Sequence, residues 1–231
     1  MSFLTLARGD ADALSLLKRA VAARYGLRPT VIDSARLSTI GKAKGPLGLP
    51  VQVLTTASYV GASHWRWQQT RKLFGLMLGS SLASFDGGAY YERIDNAIHQ
   101  NNEPAAVQSA RSRLWAELAI FLAPMNQPGV MLNVVDDKSF KSSPEGFQSV
   151  VATISLNEDS TVRQVETACY RIAEKRPVSL VIKPQEGMQT IDNFIFPKQL
   201  QYEWGDGVKE TYIVTNVEPN PKIPLTEFTM S

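Results

Sequence analysis

The chain offers few residues that could perform acid-base or nucleophilic chemistry. It contains two histidines, His64 and His99, and a single cysteine, Cys169. No serine lies in a GxSxG motif, and no acidic residue stands at a diagnostic spacing from either histidine. Cys169 lies between Ala168 and Tyr170 in a strand-like pattern, which is typical of a buried, unreactive thiol. We therefore predict that the protein is not an enzyme.

The sequence also gives no sign of a metal or cofactor site. It has no CxxC and no HExxH motif, and one cysteine cannot form an intramolecular disulfide. The glycine-rich stretch Gly41–Gly48 lacks the GK[ST] ending of a phosphate-binding loop, and a strand rather than a helix follows it. The prediction is therefore no cofactor and no metal ion.

Apolar side chains at strand spacing are the better candidates for binding. Trp65 and Trp67 share one face of a strand, because side chains alternate along a strand. Two indoles in this arrangement could line a lipid-binding concavity, or they could pack as ordinary core beneath a helix. Phe74 and Met77 follow closely, and methionine suits surfaces that fit varied shapes. Both interpretations stay open at this point.

Two amphipathic helices are predicted to position these side chains. The first spans residues 10–25, where Leu14, Leu17 and Val21 recur at helical spacing and Gly26 marks the end. Its polar faces carry Lys18, Arg19 and Arg24.

The second helix begins at Pro104 and ends before Pro124. Its apolar stripe comprises Val107, Ala110, Leu114, Trp115, Leu118, Phe121 and Leu122. Its opposite, polar face comprises Gln108, Ser109, Arg111, Arg113 and Glu117.

The rest of the chain is typical of short strands separated by turns. Before the second helix, the candidate strands are 35–44, 51–60, 64–70, 73–78, 81–85 and 89–94. After it, they are 130–135, 149–156, 162–170, 178–183, 188–194, 200–204 and 208–217. Helices do not alternate with these strands, which excludes a parallel doubly wound sheet.

The predicted fold class is α+β, mainly β. It consists of one large curved antiparallel sheet, an open half barrel of about 11–13 strands, with two main helices covering the concave side. No repeat or linker divides residues 1–231, so we predict a single domain. The predicted ligand-binding residues in the concavity are Trp65, Trp67, Phe74, Met77, Leu114, Trp115, Leu118, Phe121 and Met131.

Several stretches resemble the outer-membrane lipoprotein-sorting family, the LolA/LolB-like periplasmic carriers. The stretches are Asp12–Ala20, Trp65-Arg-Trp67 with Phe85–Tyr91, Phe196–Trp204 and Thr215–Phe228. The resemblance implies a half barrel closed by helices, and an acyl-chain lipid or a lipoprotein as the ligand. In the best-known carriers an arginine latches a helix, and its position corresponds to Gly61 here.

Two functions follow from these observations as expectations. The first is non-enzymatic binding or carriage of a lipid or lipidated protein by a monomer in the periplasm. The alternative is a structural or adaptor protein of the same fold whose core is filled by its own side chains. The first eight residues lack the pattern of a secretory signal, so a cytoplasmic location is the alternative to the periplasm.

Charge is distributed unevenly along the chain. Residues 1–72 contain 11 Lys and Arg against 3 Asp and Glu, whereas residues 73–231 contain 13 against 19. This division excludes a uniformly basic nucleic-acid-binding protein. Contact of the basic region with anionic lipid head groups or with an acidic partner, through Lys42, Lys44, Arg71 and Lys72, is one interpretation. The pattern favours the simpler interpretation, which is solvated strand faces and edge lysines that discourage aggregation.

Overall fold

The computed structural model describes residues 8–26, 31–44, 49–94, 97–171, 176–191 and 194–230. Within these ranges the chain forms two α-helices, α1 (Ala11–Tyr25) and α2 (Pro104–Phe121), and 3₁₀ turns at Ala123–Asn126 and Leu225–Glu227. The strands before α2 are β1 (Arg8–Gly9), β2 (Ser34–Lys44), β3 (Pro50–Val60), β4 (His64–Leu73), β5 (Leu76–Phe85), β6 (Tyr90–Ile94) and β7 (Ala97–Asn101). The strands after α2 are β8 (Val130–Asp136), β9 (Ser139–Pro144), β10 (Ala152–Leu156), β11 (Val162–Arg171), β12 (Arg176–Ile191), β13 (Phe194–Trp204) and β14 (Lys209–Pro219).

All of these strands belong to one sheet. Its order is β1-β8-β9-β10-β11-β12-β13-β14-β2-β3-β4-β5-β6-β7. Among the described residues, the thirteen strands from β2 to β14 pair antiparallel, and the two-residue β1 pairs in parallel with β8. The last strand, β14, pairs with β2 and so joins the two halves of the chain. The predicted class, a mainly β protein with one open antiparallel sheet and two helices, is confirmed.

Helix α2 shows that the sheet is curled. It contacts β10 at one side and β6 at the other, and nine inter-strand spacings separate these two strands. In a flat sheet that separation would be about 43 Å at about 4.8 Å per spacing, whereas an 18-residue helix is only about 27 Å long. The sheet therefore wraps around α2, and we call the enclosed volume between them the interior.

The prediction that each helix has an exposed polar face is wrong for one residue of each helix. Arg24 of α1 is only 7% exposed, and Glu117 of α2 is 3% exposed. The wrapped sheet buries α2 on most sides, so the helix has no continuous solvent face. Polar side chains in such a helix persist where the interior supplies hydrogen-bond partners.

The structure also corrects several strand predictions. Residues 73–78 are not a separate strand, because Phe74 and Gly75 form the turn between β4 and β5. The candidate 178–183 and residues 188–191 of the candidate 188–194 belong to one strand, β12, which is interrupted by a bulge between Gln185 and Met188, whereas Phe194 begins β13. Strands β7 and β9 were not predicted, since neither sequence alternates between apolar and polar residues.

Candidate functional site

The interior is filled by the protein's own side chains. Six of the predicted ligand-binding residues lie there with exposures of 0–7%, namely Trp65, Trp67, Leu114, Trp115, Leu118 and Phe121. The Phe121 ring packs 4.8 Å from the Phe196 ring and 6.1 Å from the Tyr59 ring, measured between centroids. The Trp115 indole donates a hydrogen bond to the carbonyl of Ser142 at 3.0 Å. The structure thus brings these six side chains together as core, and their role in ligand binding stays a prediction.

A buried carboxylate, not predicted from the sequence, connects α2 to the sheet: Glu117 pairs with Arg113 of the same helix and is hydrogen-bonded to side chains of β3 and β4. Glu117 accepts hydrogen bonds from the Tyr59 hydroxyl at 2.7 Å, from Trp65 Nε1 at 3.0 Å and from Arg113 Nε at 2.8 Å. The Arg113 guanidinium carbon lies 4.8 Å from the Trp65 ring centroid and 4.6 Å from that of Trp67. The sequence indicates an ion pair only through the i,i+4 spacing of Arg113 and Glu117. An exposed pair on a helix surface would have the same spacing.

Burial fixes the protonation states of the interior. It raises the pKa of the Tyr59 hydroxyl well above its usual range, and the Glu117 carboxylate raises it further. Burial alone would lower the pKa of Arg113, but Glu117 more than offsets this effect and the pKa is raised. Burial also raises the pKa of Tyr90 and of Tyr212 to about 12. These groups keep their protons near neutral pH, so the arrangement is suited to holding α2 in place rather than to proton transfer.

The two histidines lie outside this cluster. His64 Nδ1 is 2.8 Å from Ser63 Oγ, and the His64 ring packs 5.3 Å from the Phe228 ring. Burial lowers the pKa of His64, an effect that Asp86 partly opposes. His99 lies exposed on β7. Within the described ranges, neither histidine forms a hydrogen bond with a carboxylate.

Three further observations concern cysteine, metal and membrane-spanning chemistry. Cys169 is buried in β11, as predicted. The part of the chain that the structure describes contains no group of three or more His, Cys, Asp or Glu residues that could hold a metal ion. Neither helix in that part is long and apolar enough to cross a membrane.

Phe74 and Met77, also predicted to bind ligand, lie away from the interior on a projecting hairpin. We call residues 73–78 the hairpin tip. Its apolar side chains are strongly exposed: Phe74 82%, Leu76 74%, Met77 71% and Leu78 49%. The six residues Leu76–Ser81 are all exposed, so this end of the hairpin projects from the body on both faces.

The turn of the hairpin tip has residues that are unusual for its backbone conformation. Phe74 and Gly75 have φ angles of 50° and 84°. Two positive φ angles are typical of a type I′ turn, in which Asn-Gly or Asp-Gly is favoured. A bulky aromatic residue at positive φ is strained, and strained residues cluster at functional sites. The exposed phenyl ring is therefore present at a cost to stability.

Basic side chains flank the hairpin tip. Lys42 of β2 and Lys72 of β4 both pair with Gln52 of β3, and Lys72 also pairs with Met77 of β5. Directly opposed residues share a face of a sheet, so both lysines lie on the same side as Met77. Arg71, which precedes Lys72, is also exposed. The side chain of Lys44, predicted to belong to this basic group, lies outside the described residues.

A groove of about 510 Å³ lies between α1 and the bulged part of β12. Its apolar wall consists of Ala20, Ala23, Leu122, Val162, Pro184, Met188 and Ile195. Arg24 also lines it and donates a hydrogen bond from Nη1 to the Ile120 carbonyl. The neighbouring Tyr25 hydroxyl donates to the Phe121 carbonyl at 2.6 Å. These bonds join the ends of the two helices and satisfy carbonyls that the end of α2 leaves free.

Comparison with known proteins identifies the fold. No protein-family model matches the chain, and no curated protein sequence matches it. The LolA superfamily protein of Nitrosomonas europaea superposes with a TM-score of 0.51 and 13% sequence identity, covering 94% of this chain and 97% of that chain. The fold is LolA-like. At this identity the likeness concerns the fold alone.

Two more solved structures were found with lower TM-scores. An outer membrane lipoprotein-sorting protein domain of Vibrio parahaemolyticus gives a TM-score of 0.47 at 7% identity and covers 94% of this chain and 95% of that chain. A DUF1329 family protein of Desulfovibrio piger gives 0.47 at 10% identity and covers 95% and 98%.

The connection between the helices of this LolA-like fold comes from α1. Gly61, which corresponds in sequence to the latch arginine of the best-known carriers, lies in the turn between β3 and β4 with a φ of 53°. Arg24 and Tyr25 instead contact the last carbonyls of α2. No sequence signal distinguished Arg24 from the exposed basic residues of the same helix.

Two cavities of the LolA-like fold differ in size. Trp115 and Leu118 line a pocket of about 170 Å³ near the turn after β3, whereas the groove beside α1 holds about 510 Å³. Small-molecule sites are typically about 300–1,000 Å³. Met131, the remaining predicted ligand residue, is half-buried on β8 and lines neither cavity. Of these two cavities, the groove beside α1 has the volume of a ligand site.

Proposed function

We propose that this protein is a non-enzymatic binding protein for a lipid or a lipidated protein, and that it works at the surface of an anionic membrane. The observation that carries the proposal is the hairpin tip, an exposed apolar projection with basic residues beside it on a LolA-like sheet. A soluble protein gains nothing in stability from such a patch, and exposed apolar patches generally mark interaction sites.

The composition of the hairpin tip suits a bilayer surface. The side chains of Phe74, Leu76 and Met77 would each contribute about 1.5–3 kcal/mol if fully buried in an apolar phase. Lys42, Arg71 and Lys72 would each add about 1 kcal/mol near an anionic leaflet. Both contributions act together only where apolar chains lie beneath negative head groups, which is the geometry of an anionic bilayer.

The LolA-like fold supports the lipid part of the proposal. The sequence resemblance to LolA/LolB carriers implies an acyl-chain lipid or a lipoprotein as cargo and the periplasm as the location. We propose both for this chain, which would act as a monomer. The half barrel gives the hairpin a rigid base, because β4 and β5 continue from the tip into the packed sheet.

A structural or adaptor protein of the same fold is the second candidate function. The filled interior favours it, since six residues predicted to contact ligand are 0–7% exposed. In that case the hairpin tip would bind a protein partner, and binding would not depend on lipid charge.

Vesicle co-sedimentation distinguishes the two functions. We expect the full chain to sediment with phosphatidylglycerol-containing vesicles and to stay in solution with pure phosphatidylcholine vesicles. The double substitution Phe74→Ser/Met77→Ser should weaken sedimentation by at least about tenfold, because two inserted apolar side chains are lost. Ile213→Ser/Leu225→Ser is the matched control, since these side chains are 54% and 53% exposed elsewhere. Equal sedimentation of both double variants would reject membrane docking and favour the adaptor.

A further inference from the structure

Arg24 is a buried positive charge without a counter-ion among the described residues. It is 7% exposed, and no described carboxylate oxygen lies within 4.0 Å of its guanidinium. Its polar contacts are the Ile120 carbonyl and the adjacent Tyr25 side chain. Burial of an unpaired charge is expensive, and an added anion at this position would offset that cost.

The chemistry of Arg24 suits an oxyanion. A guanidinium carries five N–H donors in a rigid fork that matches carboxylate and phosphate groups. The hydrogen bond to Ile120 uses Nη1, and the side chain also lines the groove beside α1. An anion in the groove would therefore lie beside a guanidinium that the α1–α2 connection holds in place.

The rest of the groove suits an apolar chain. Strand β12 bulges where Glu186 and Gly187 have φ angles of 60° and 73°, and the bulge redirects the strand beside the groove. Met188 follows the bulge, and Ile195 faces the groove from β13. Methionine side chains adapt readily to flexible apolar ligands.

Acidic residues of the groove would set the orientation of an amphiphile. Asp159 and Glu186 also line the groove, and both are exposed. Asp159 Oδ1 accepts hydrogen bonds from the Thr161 amide at 3.0 Å and hydroxyl at 2.6 Å. These exposed carboxylates disfavour an anionic group at the rim, whereas the buried Arg24 attracts it. An anionic head group would therefore be stabilised inside the groove, with the chain directed toward the rim.

We propose that the groove beside α1 binds a single-chain amphiphile with an oxyanion head group, the head group on Arg24 and the chain against Met188 and Ile195. The inference rests on the proposed lipid-binding function and specifies the class of ligand. Carboxylate and phosphate head groups share the required chemistry. The site lies outside the set of residues predicted from the sequence.

Calorimetric titration of the full chain with four probes tests the site. The probes are laurate, dodecyl phosphate, dodecanol and inorganic phosphate. We expect laurate or dodecyl phosphate to bind at least about tenfold more tightly than dodecanol, since a hydrogen-bonded charge contributes that much or more. Comparison of the two anionic probes distinguishes a carboxylate ligand from a phosphate ligand. Inorganic phosphate should bind weakly because it lacks the chain.

Three variants complete the test. Arg24→Gln should abolish the preference for an anionic head group over dodecanol. Ala23→Glu places a carboxylate in the groove and should weaken laurate binding at least about tenfold. Its matched control is Ala22→Glu, because Ala22 is exposed on the same helix and does not line the groove. Ala23 is also exposed, so this pair remains informative even if Arg24→Gln fails to fold.

Several outcomes would overturn the inference. Equal binding of laurate and dodecanol, unchanged in Arg24→Gln, would mean an apolar groove without an anion site and would leave the proposed lipid binding intact. Tight binding of inorganic phosphate alone would mean an anion site without a chain site. Equal effects of Ala23→Glu and Ala22→Glu would place the ligand elsewhere. No binding of any probe would reject the groove, while vesicle sedimentation would still decide membrane docking independently.

Discussion

The interior and the hairpin tip are built from similar apolar side chains in opposite surroundings. Phe121 in the interior is 1% exposed, whereas Phe74 at the hairpin tip is 82% exposed. The interior ring packs against other aromatic rings, and the tip ring occupies a strained turn. This difference teaches that the chain separates the apolar residues that stabilise the fold from those that are available for binding. The hairpin tip should therefore tolerate changes that the interior cannot.

The largest expected difference comes from the same substitution in both regions. Phe121→Ala should lower the free energy of unfolding by about 3–5 kcal/mol, because it leaves a cavity in packed core. Phe74→Ala should change it by no more than about 0.5 kcal/mol, because the ring contacts mainly solvent. Denaturant titration of both variants measures the contrast. Similar losses at the two positions would mean that the Phe74 ring packs against the protein in solution. That result would contradict the distinction between the interior and the hairpin tip.

The sequence predicted the fold better than it predicted the two regions. Periodicity located both helices, and the predicted order of a helix, a group of strands, a helix and a second group of strands agrees with the structure. The predicted numbers of strands, six and seven, equal those of β2–β7 and β8–β14 only because extra divisions in the β4–β5 hairpin and in β12 offset the unpredicted β7 and β9. The sequence could not show that Phe74 and Met77 are exposed while Trp65 and Trp67 are buried. An apolar side chain carries no information about which part of a hairpin extends beyond the core. Phe74-Gly75 also lacks the Asn-Gly signal of a tight turn, so the apolar pattern predicts a strand where the structure has the turn.

Long-range contacts explain why the polar residues of the site could not be predicted. Arg113 and Glu117 look like a surface pair on α2, and only the wrapped sheet shows that Tyr59 and Trp65 provide donors for the carboxylate. Arg24 is 96 residues from its acceptor at Ile120. Single-sequence patterns describe neighbours along one element and do not indicate such pairings.

Removal of the interior charge should have the next largest effect. Glu117→Gln leaves the half-buried Arg113 guanidinium without its counter-charge and disturbs the hydrogen bonds from Tyr59 and Trp65, and we expect a loss of roughly 2–4 kcal/mol in the free energy of unfolding. Glu203→Gln is the control, because Glu203 pairs with Lys183 at 2.6 Å and Lys209 at 3.1 Å near the surface and should matter little. If the two substitutions cost the same, the Glu117 carboxylate does not hold α2 to the sheet.

Alkaline pH should destabilise the interior without involving the hairpin tip. Tyr90 and Tyr212 have pKa values raised from 10.0 to about 12 by burial, so the folded state disfavours their ionised forms. Their contribution to stability is present below pH 10 and is lost as the pH rises from 10 to 12. Denaturant titrations across this range should give a smaller pH slope for Tyr90→Phe/Tyr212→Phe. Phe74→Ser should retain the wild-type pH slope. A different slope in this variant would mean that the hairpin tip affects the stability of the interior.

The smallest effect, and the one of opposite sign, is expected from relief of the strained turn. Phe74→Asn introduces the residue that a type I′ turn favours and should stabilise the protein by about 0.5–1 kcal/mol. The same variant should bind anionic vesicles more weakly. Thermal unfolding and vesicle sedimentation measured on one preparation test both expectations. A loss of stability would show that the phenyl ring packs against the protein.

The most direct test of the central claim is an environment-sensitive fluorophore attached at the hairpin tip. Phe74→Cys and Ile213→Cys provide two exposed attachment positions, and the native Cys169 is buried. Addition of phosphatidylglycerol-containing vesicles should shift the emission of the label at position 74 to shorter wavelength and leave the label at position 213 unchanged. Pure phosphatidylcholine vesicles should shift neither label. Equal shifts at both positions, or no shift at position 74, would contradict membrane docking through the hairpin tip.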